Sequence, residues 1–103
     1  MSRNDFLTDY LQSLYGIPVL SHEDEVKLAM KIQQGDMVAL EQLVKHNLRF
    51  VVFTVRKLSA WNHSKVPQED LIAMGNVALF ESARRWIPKN NAKFATYAKY
   101  FIL

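Results

Sequence analysis

The chain has 103 residues, half of them hydrophobic and 22% charged, a globular composition that fits one domain and argues against a disordered tail. Three Gly, three Pro and no Cys argue against a collagen-like or many-turned β-sandwich chain, and leave no disulfide framework, thiolate nucleophile or Cys-ligated zinc. The net charge of +3 hides an asymmetry: residues 1–44 carry seven acids against three bases, residues 45–103 carry ten bases against three acids, and no acid follows Glu81. Such a balance points to a polyanion partner for the second half, with a solvated basic face as the plain alternative.

The pattern is helical throughout. Phe6, Leu7, Tyr10, Leu11 and Leu14 predict a helix from Asp5 to about Leu14, ended by Gly16 and Pro18. Ser21-His22-Glu23-Asp24 resembles a capping box and opens a second helix carrying Val26, Leu28, Ala29 and Ile32. Gly35 ends it, and Asp36 can cap the next. From Leu40 through Leu43, Val44, Leu48, Val51, Val52, Val55 and Leu58 the apolar residues recur every three or four positions, which predicts one long helix. Residues 59–66 break the pattern and are expected to form a loop. Pro67 suits the first turn of a helix whose apolar face is Leu71, Ile72, Leu79, Ala83 and Trp86. Gly75 inside it costs about 1 kcal/mol relative to alanine, so another helix approaching closely there would explain it. Pro88-Lys89-Asn90-Asn91 is a turn, Asn91 a plausible N-cap, and a last helix starts near Lys93. The expected architecture is all-α, one compact domain of about five helices. No apolar run exceeds four residues, as in Phe50–Phe53, far too short to span a bilayer. Met1–Asp5 leads into no signal region, so a cytoplasmic protein without a membrane partner is the expectation.

Catalysis finds little support. His22, His46 and His63 lie on three segments, His22-Glu23-Asp24-Glu25 lacks the second histidine of a zinc protease motif, and no Gly-rich phosphate loop follows a strand. The carboxylates cluster at helix starts, where they suit the helix dipole. No enzyme, metal or cofactor is expected. The last thirty residues carry more. Trp86, Phe94, Tyr97, Tyr100 and Phe101 are interleaved with Arg84, Arg85, Lys89, Lys93 and Lys99. Rings beside cations can stack exposed bases while the cations hold phosphates. The same periodicity also fits a core, above all for Phe94 and Phe101; Tyr97 and Tyr100 have hydroxyls that need water or a partner.

Asp5–Leu11 with Gly16–Leu20, Glu23–Val26 with Gly35-Asp36, Asn47–Val52, Asp70–Ile72 with Gly75-Asn76 and Leu79, and Lys93–Ala98 stand in one order and register. Together they resemble the bacterial sigma-70 family of transcription initiation factors, over nearly the whole chain. Residues 1–20 resemble a helix and turn of the region called 1.2, and residues 21–103 the helices of region 2, reaching the start of 2.4. The resemblance implies a helical domain that docks on the clamp helices of the core RNA polymerase β′ subunit and holds the −10 promoter element as single-stranded DNA. It implies core-binding residues Asp70, Ala73, Met74, Asn76 and Phe80, with Ala73 and Met74 standing where the family has a Gln-Glu pair. It implies DNA contacts at Phe94, Thr96 and Tyr97, with Lys93 on the backbone, and at Asn47 and Arg49 near the downstream bases. Tyr100 and Phe101 replace a Trp pair, Ala92 a Tyr and Asn90 an Arg, which implies looser recognition of the flipped adenine. Arg84, Arg85, Trp86 and Lys89 complete the expected DNA strip. A coactivator or anti-sigma factor is a further conceivable partner.

Phe101-Ile102-Leu103 ends the sequence without a helix stop, so a fragment cut within the last helix is expected, with a short phage-type sigma as the other option. Two rivals differ in kind. A sigma-like polymerase-binding module, an appropriator or inhibitor without promoter melting, would keep Asp70 and Asn76 but not need the aromatic–basic strip. A helix-turn-helix domain would need a polar recognition helix, and the last helix is aromatic-rich instead.

Overall fold

The computed structural model describes residues 3–62, 65–89 and 91–102, and these form six α-helices and no strand. The helices are α1 (Arg3–Tyr15), α2 (His22–Gln33), α3 (Met37–Lys45), α4 (Leu48–Asn62), α5 (Gln68–Arg85) and α6 (Phe94–Ile102). Two starts follow the expected chemistry: the Ser21 hydroxyl accepts the Asp24 N–H at 3.1 Å, and the Asp36 carboxylate accepts the Ala39 N–H at 3.0 Å. Gly35 separates α2 from α3 at φ +92°, a left-handed conformation that favours glycine.

The structure corrects three expectations. The long helix over Leu40–Leu58 is two helices, α3 and α4, divided at His46-Asn47. There the Asn47 side-chain amide donates to the Leu43 carbonyl at 2.8 Å, and His46 Nδ1 donates to the Pro18 carbonyl at 2.7 Å. The break costs no apolar periodicity, since Leu43 before it and Val51 and Val52 after it face the same core, and the pattern therefore conceals it. Second, α4 continues to Asn62, so Ser59–Asn62 are helical rather than loop; no Gly or Pro interrupts the chain before Pro67. His63 and Ser64 lie outside the described residues. Third, Asn91 does not cap α6, which begins three residues later at Phe94.

α5 is the hub, packing against α2, α3, α4 and α6, while α1 packs on α4. Leu11, Leu14, Leu40, Leu43, Val51, Val52, Val55, Ile72, Leu79, Trp86, Phe94 and Ala98 form one buried core. Gly75 faces into it: a Cβ built there would lie 2.6 Å from Val51 Cγ1. The close helix approach that would explain this glycine is therefore that of α4. Gly75→Ala should gain about 1 kcal/mol of helix propensity and lose ~1–3 kcal/mol to overpacking against a stiff, fully buried valine. Urea titration should show net destabilisation that disappears in a Val51→Ala background. Equal cost in both backgrounds would mean that the Val51 contact is not the cause. No described helix is long and apolar enough to cross a membrane.

Candidate nucleic-acid and partner interfaces

α6 is a two-sided helix. Phe94 and Ala98 are fully buried, while Thr96, Lys99 and Tyr100 are exposed. Phe94 packs on Trp86, ring centroids 5.3 Å apart and tilted by 53°, so the residue that ends α5 anchors the start of α6. Between that junction and the outer face of α6 lies an open cleft of about 440 Å³. Arg85, Trp86, Ile87, Lys89, Ala92, Lys93, Thr96, Tyr97 and Tyr100 line it. The volume falls in the usual range of ligand pockets. Tyr100 is 74% exposed and Tyr97 half-buried, its ring 5.0 Å from that of Phe101. A planar apolar group entering the cleft would meet rings, with cations and hydroxyls around it.

The expected DNA strip therefore divides. Arg85, Trp86, Lys89, Lys93, Thr96, Tyr97 and Tyr100 come together at the cleft. Trp86 is 4% exposed and Phe94 is 0% exposed, so Phe94 can support the cleft but offers a ligand no surface. Phe101 lies outside the lining, partly exposed beside Tyr97. Arg84 is on the outer face of α5 and pairs with Glu81 at 3.1 Å; Arg85 approaches the same carboxylate at 3.7 Å. Both pairs are exposed and weak, so either arginine can exchange Glu81 for a phosphate at small cost.

Asn47 and Arg49 are elsewhere, committed to the fold. Asn47 is buried with its amide on Leu43. Arg49 donates to the Ile17 carbonyl at 3.0 Å and sits 5.7 Å from the centroid of the Tyr15 ring. Lys93 has a similar duty, donating to the Leu20 carbonyl at 2.8 Å. Together with His46 on Pro18, three basic side chains thus satisfy carbonyls of the α1–α2 connection, which has no regular structure to satisfy them. Sequence patterning does not announce this use, because a lysine or arginine reads as surface charge until its carbonyl partner is located.

A second surface runs along α5. Ile72, Gly75, Leu79, Ser82 and Ala83 face inward. On the opposite stripe Asp70, Ala73, Met74, Val77 and Phe80 are exposed. Met74 and Val77 are each 65% exposed, a high value for apolar residues three apart on one helix. Val77 was not among the expected contacts; its place at i+3 from Met74 and i+7 from Asp70 puts it at the centre of the stripe. Asn76 flanks the stripe, half-buried, with its amide donating to the Tyr10 hydroxyl at 3.4 Å and so joining α5 to α1.

Comparison with known proteins identifies the family. The family model for Sigma-70 factor, region 1.2 matches residues 5–37, and that for Sigma-70 region 2 matches residues 43–102. The chain belongs to the sigma-70 family. It is 33% identical over 93 residues to RNA polymerase sigma factor RpoS of Coxiella burnetii, covering 90% of this chain and 26% of that protein. Similarity to RNA polymerase sigma factor SigA of a Bacillus species is 34% over 99 residues, 96% of this chain and 26% of the relative. To SigA of Clostridium acetobutylicum it is 34% over 93 residues, 90% of this chain and 24% of the relative. The chain spans about a quarter of the length of these relatives.

Proposed function

We propose that this chain is the part of a transcription initiation sigma factor that docks on core RNA polymerase through α5 and holds flipped, non-template-strand bases of the −10 promoter element in the α5–α6 cleft. The observation that carries the reading is the cleft itself: rings of Trp86, Tyr97 and Tyr100 with Arg85, Lys89 and Lys93 around one opening. Opening a duplex sacrifices stacking of about 1.4 kcal/mol per base-pair step, and stacking on aromatic side chains returns about 1–3 kcal/mol per base. Cations beside the rings suit the phosphates of the same strand. No bond is made or broken, so the reading requires no catalytic group. Because the polymerase clamp helices are the expected seat of α5, the cleft is to be tested in the assembled complex; a coactivator or anti-sigma factor would act on the same surfaces. A soluble, cytoplasmic setting follows from that role.

Ring and charge contributions can be measured apart. In complex with core polymerase, Tyr100→Ala should weaken binding of a single-stranded −10 oligonucleotide by ~1–3 kcal/mol and leave its salt dependence unchanged. Lys89→Ala should flatten the log–log salt slope by about 0.7 and lower affinity for all sequences alike. If core binding persists while neither substitution alters oligonucleotide affinity, the chain is a polymerase-binding module and the cleft serves something else.

A further inference from the structure

Glu25 stands in the acid-rich first turn of α2, yet unlike Glu23 and Asp24 it is buried, 2% exposed. Its Oε1 accepts the backbone N–H of Phe94 at 3.1 Å. Phe94 is the first residue of α6, where backbone N–H groups have no partner within the helix. Lys93, just before it, has no acceptor side chain, and no acid follows Glu81 in the sequence. The carboxylate of α2 therefore supplies what α6 lacks locally: an acceptor, and negative charge at the positive end of the helix dipole. The neighbouring side chain is held from the same place, since Lys93 Nζ donates to the carbonyl of Leu20, next to the Ser21 that caps α2. Both the backbone and the side chain at the start of α6 are thus fixed by the start of α2. A carboxylate is costly to bury and gains nothing there unless it meets such a donor.

We infer that Glu25 is a positioning residue for the cleft: by capping α6 from α2, it sets where Lys93, Thr96, Tyr97 and Tyr100 stand relative to Trp86 and Arg85. The segment matching region 1.2 then contributes to the cleft without touching its ligand. The consequence for DNA rests on the function proposed above, whereas the consequence for α6 does not.

The test compares Glu25→Met, which fills the volume without an acceptor, with Glu25→Gln, which keeps the acceptor oxygen. Each chain is assembled with core polymerase, and binding of a fluorescein-labelled single-stranded TATAAT oligonucleotide is measured beside core affinity. Amide hydrogen exchange is followed at Phe94, Thr96 and Tyr97. Glu25→Met should bind the oligonucleotide roughly tenfold more weakly, with core affinity unchanged and protection lost at the start of α6. Glu25→Gln should stay within roughly threefold of the unsubstituted chain and keep that protection. Unchanged oligonucleotide affinity in Glu25→Met overturns the inference. So does a loss of protection spread equally through α4 and α5, which would mark a general structural role. If the unsubstituted chain itself fails to bind the oligonucleotide, the DNA reading falls. Exchange at α6 then decides alone: protection lost in the Met variant and kept in the Gln variant upholds Glu25 as the positioner of α6, and unchanged protection refutes it.

Discussion

Phe94→Ala should cost about 3–5 kcal/mol of folding stability. Its ring is fully buried, packs against Trp86 and belongs to the same core as Leu79 and Ala83. Truncation removes the transfer energy of the ring and leaves a cavity that the surrounding helices close only in part. For a domain whose whole stability lies in the range of roughly 5–15 kcal/mol, that is a large share. Tyr100→Ala, six residues from Phe94 in sequence and on the same short helix, should change stability by no more than about 0.5 kcal/mol, because its side chain is mostly exposed. Urea midpoints of the two variants test the pair. A Phe94→Ala domain as stable as Tyr100→Ala would place that ring on the surface, where a base could reach it, and would restore the direct contact that its burial denies.

Met74→Asp with Val77→Asp should leave the domain folded and reduce its affinity for core RNA polymerase by at least about 2 kcal/mol, roughly thirtyfold. Both side chains are exposed, so aspartate there loses little on folding. In a docked complex the same two carboxylates would be buried without partners in the middle of an apolar stripe. Asp70→Ala should weaken association less, since Asp70 lies at the stripe's end in the first turn of α5. Asn76→Ala is a different experiment: it removes the bond to the Tyr10 hydroxyl and loosens α1 from α5, so its effect on polymerase binding is to be read only alongside a stability measurement. Titration of core polymerase with labelled domain, accompanied by circular dichroism of each variant, separates docking from unfolding. Wild-type affinity in the folded double-aspartate variant would move the docking surface off α5.

The charge asymmetry, the helical periods, the caps at Ser21 and Asp36 and the turn at Gly35 were all legible in the sequence. The charge asymmetry is a plain sum over the sequence, and each of the others depends on residues within about one helical turn of one another. The family resemblance was legible too, because it rests on the order of short motifs. The core-or-contact choice along the last helix was not. Phe94, Tyr97 and Phe101 share one stripe, and a period says only that they face the same way. It took the position of Trp86 to bury Phe94 and leave Tyr100 free. The division of α3 from α4 was hidden for a related reason: two residues of turn at His46-Asn47 leave the apolar register intact.

Long-range polar pairing was the least legible. Glu23, Asp24 and Glu25 look alike as acids at a helix start, suited to the dipole of their own helix. Only the packing of α2 near the start of α6 turns one of them inward to serve another helix. Arg49 and Lys93 look alike as cations for phosphate, and only the fold puts the carbonyls of Ile17 and Leu20 within their reach. Local hydrogen bonds and hydrophobic periods are properties of a segment and are determined by its own residues. The partner of a buried charge is determined by which surfaces the whole chain brings together, and that was decided by the tertiary structure alone.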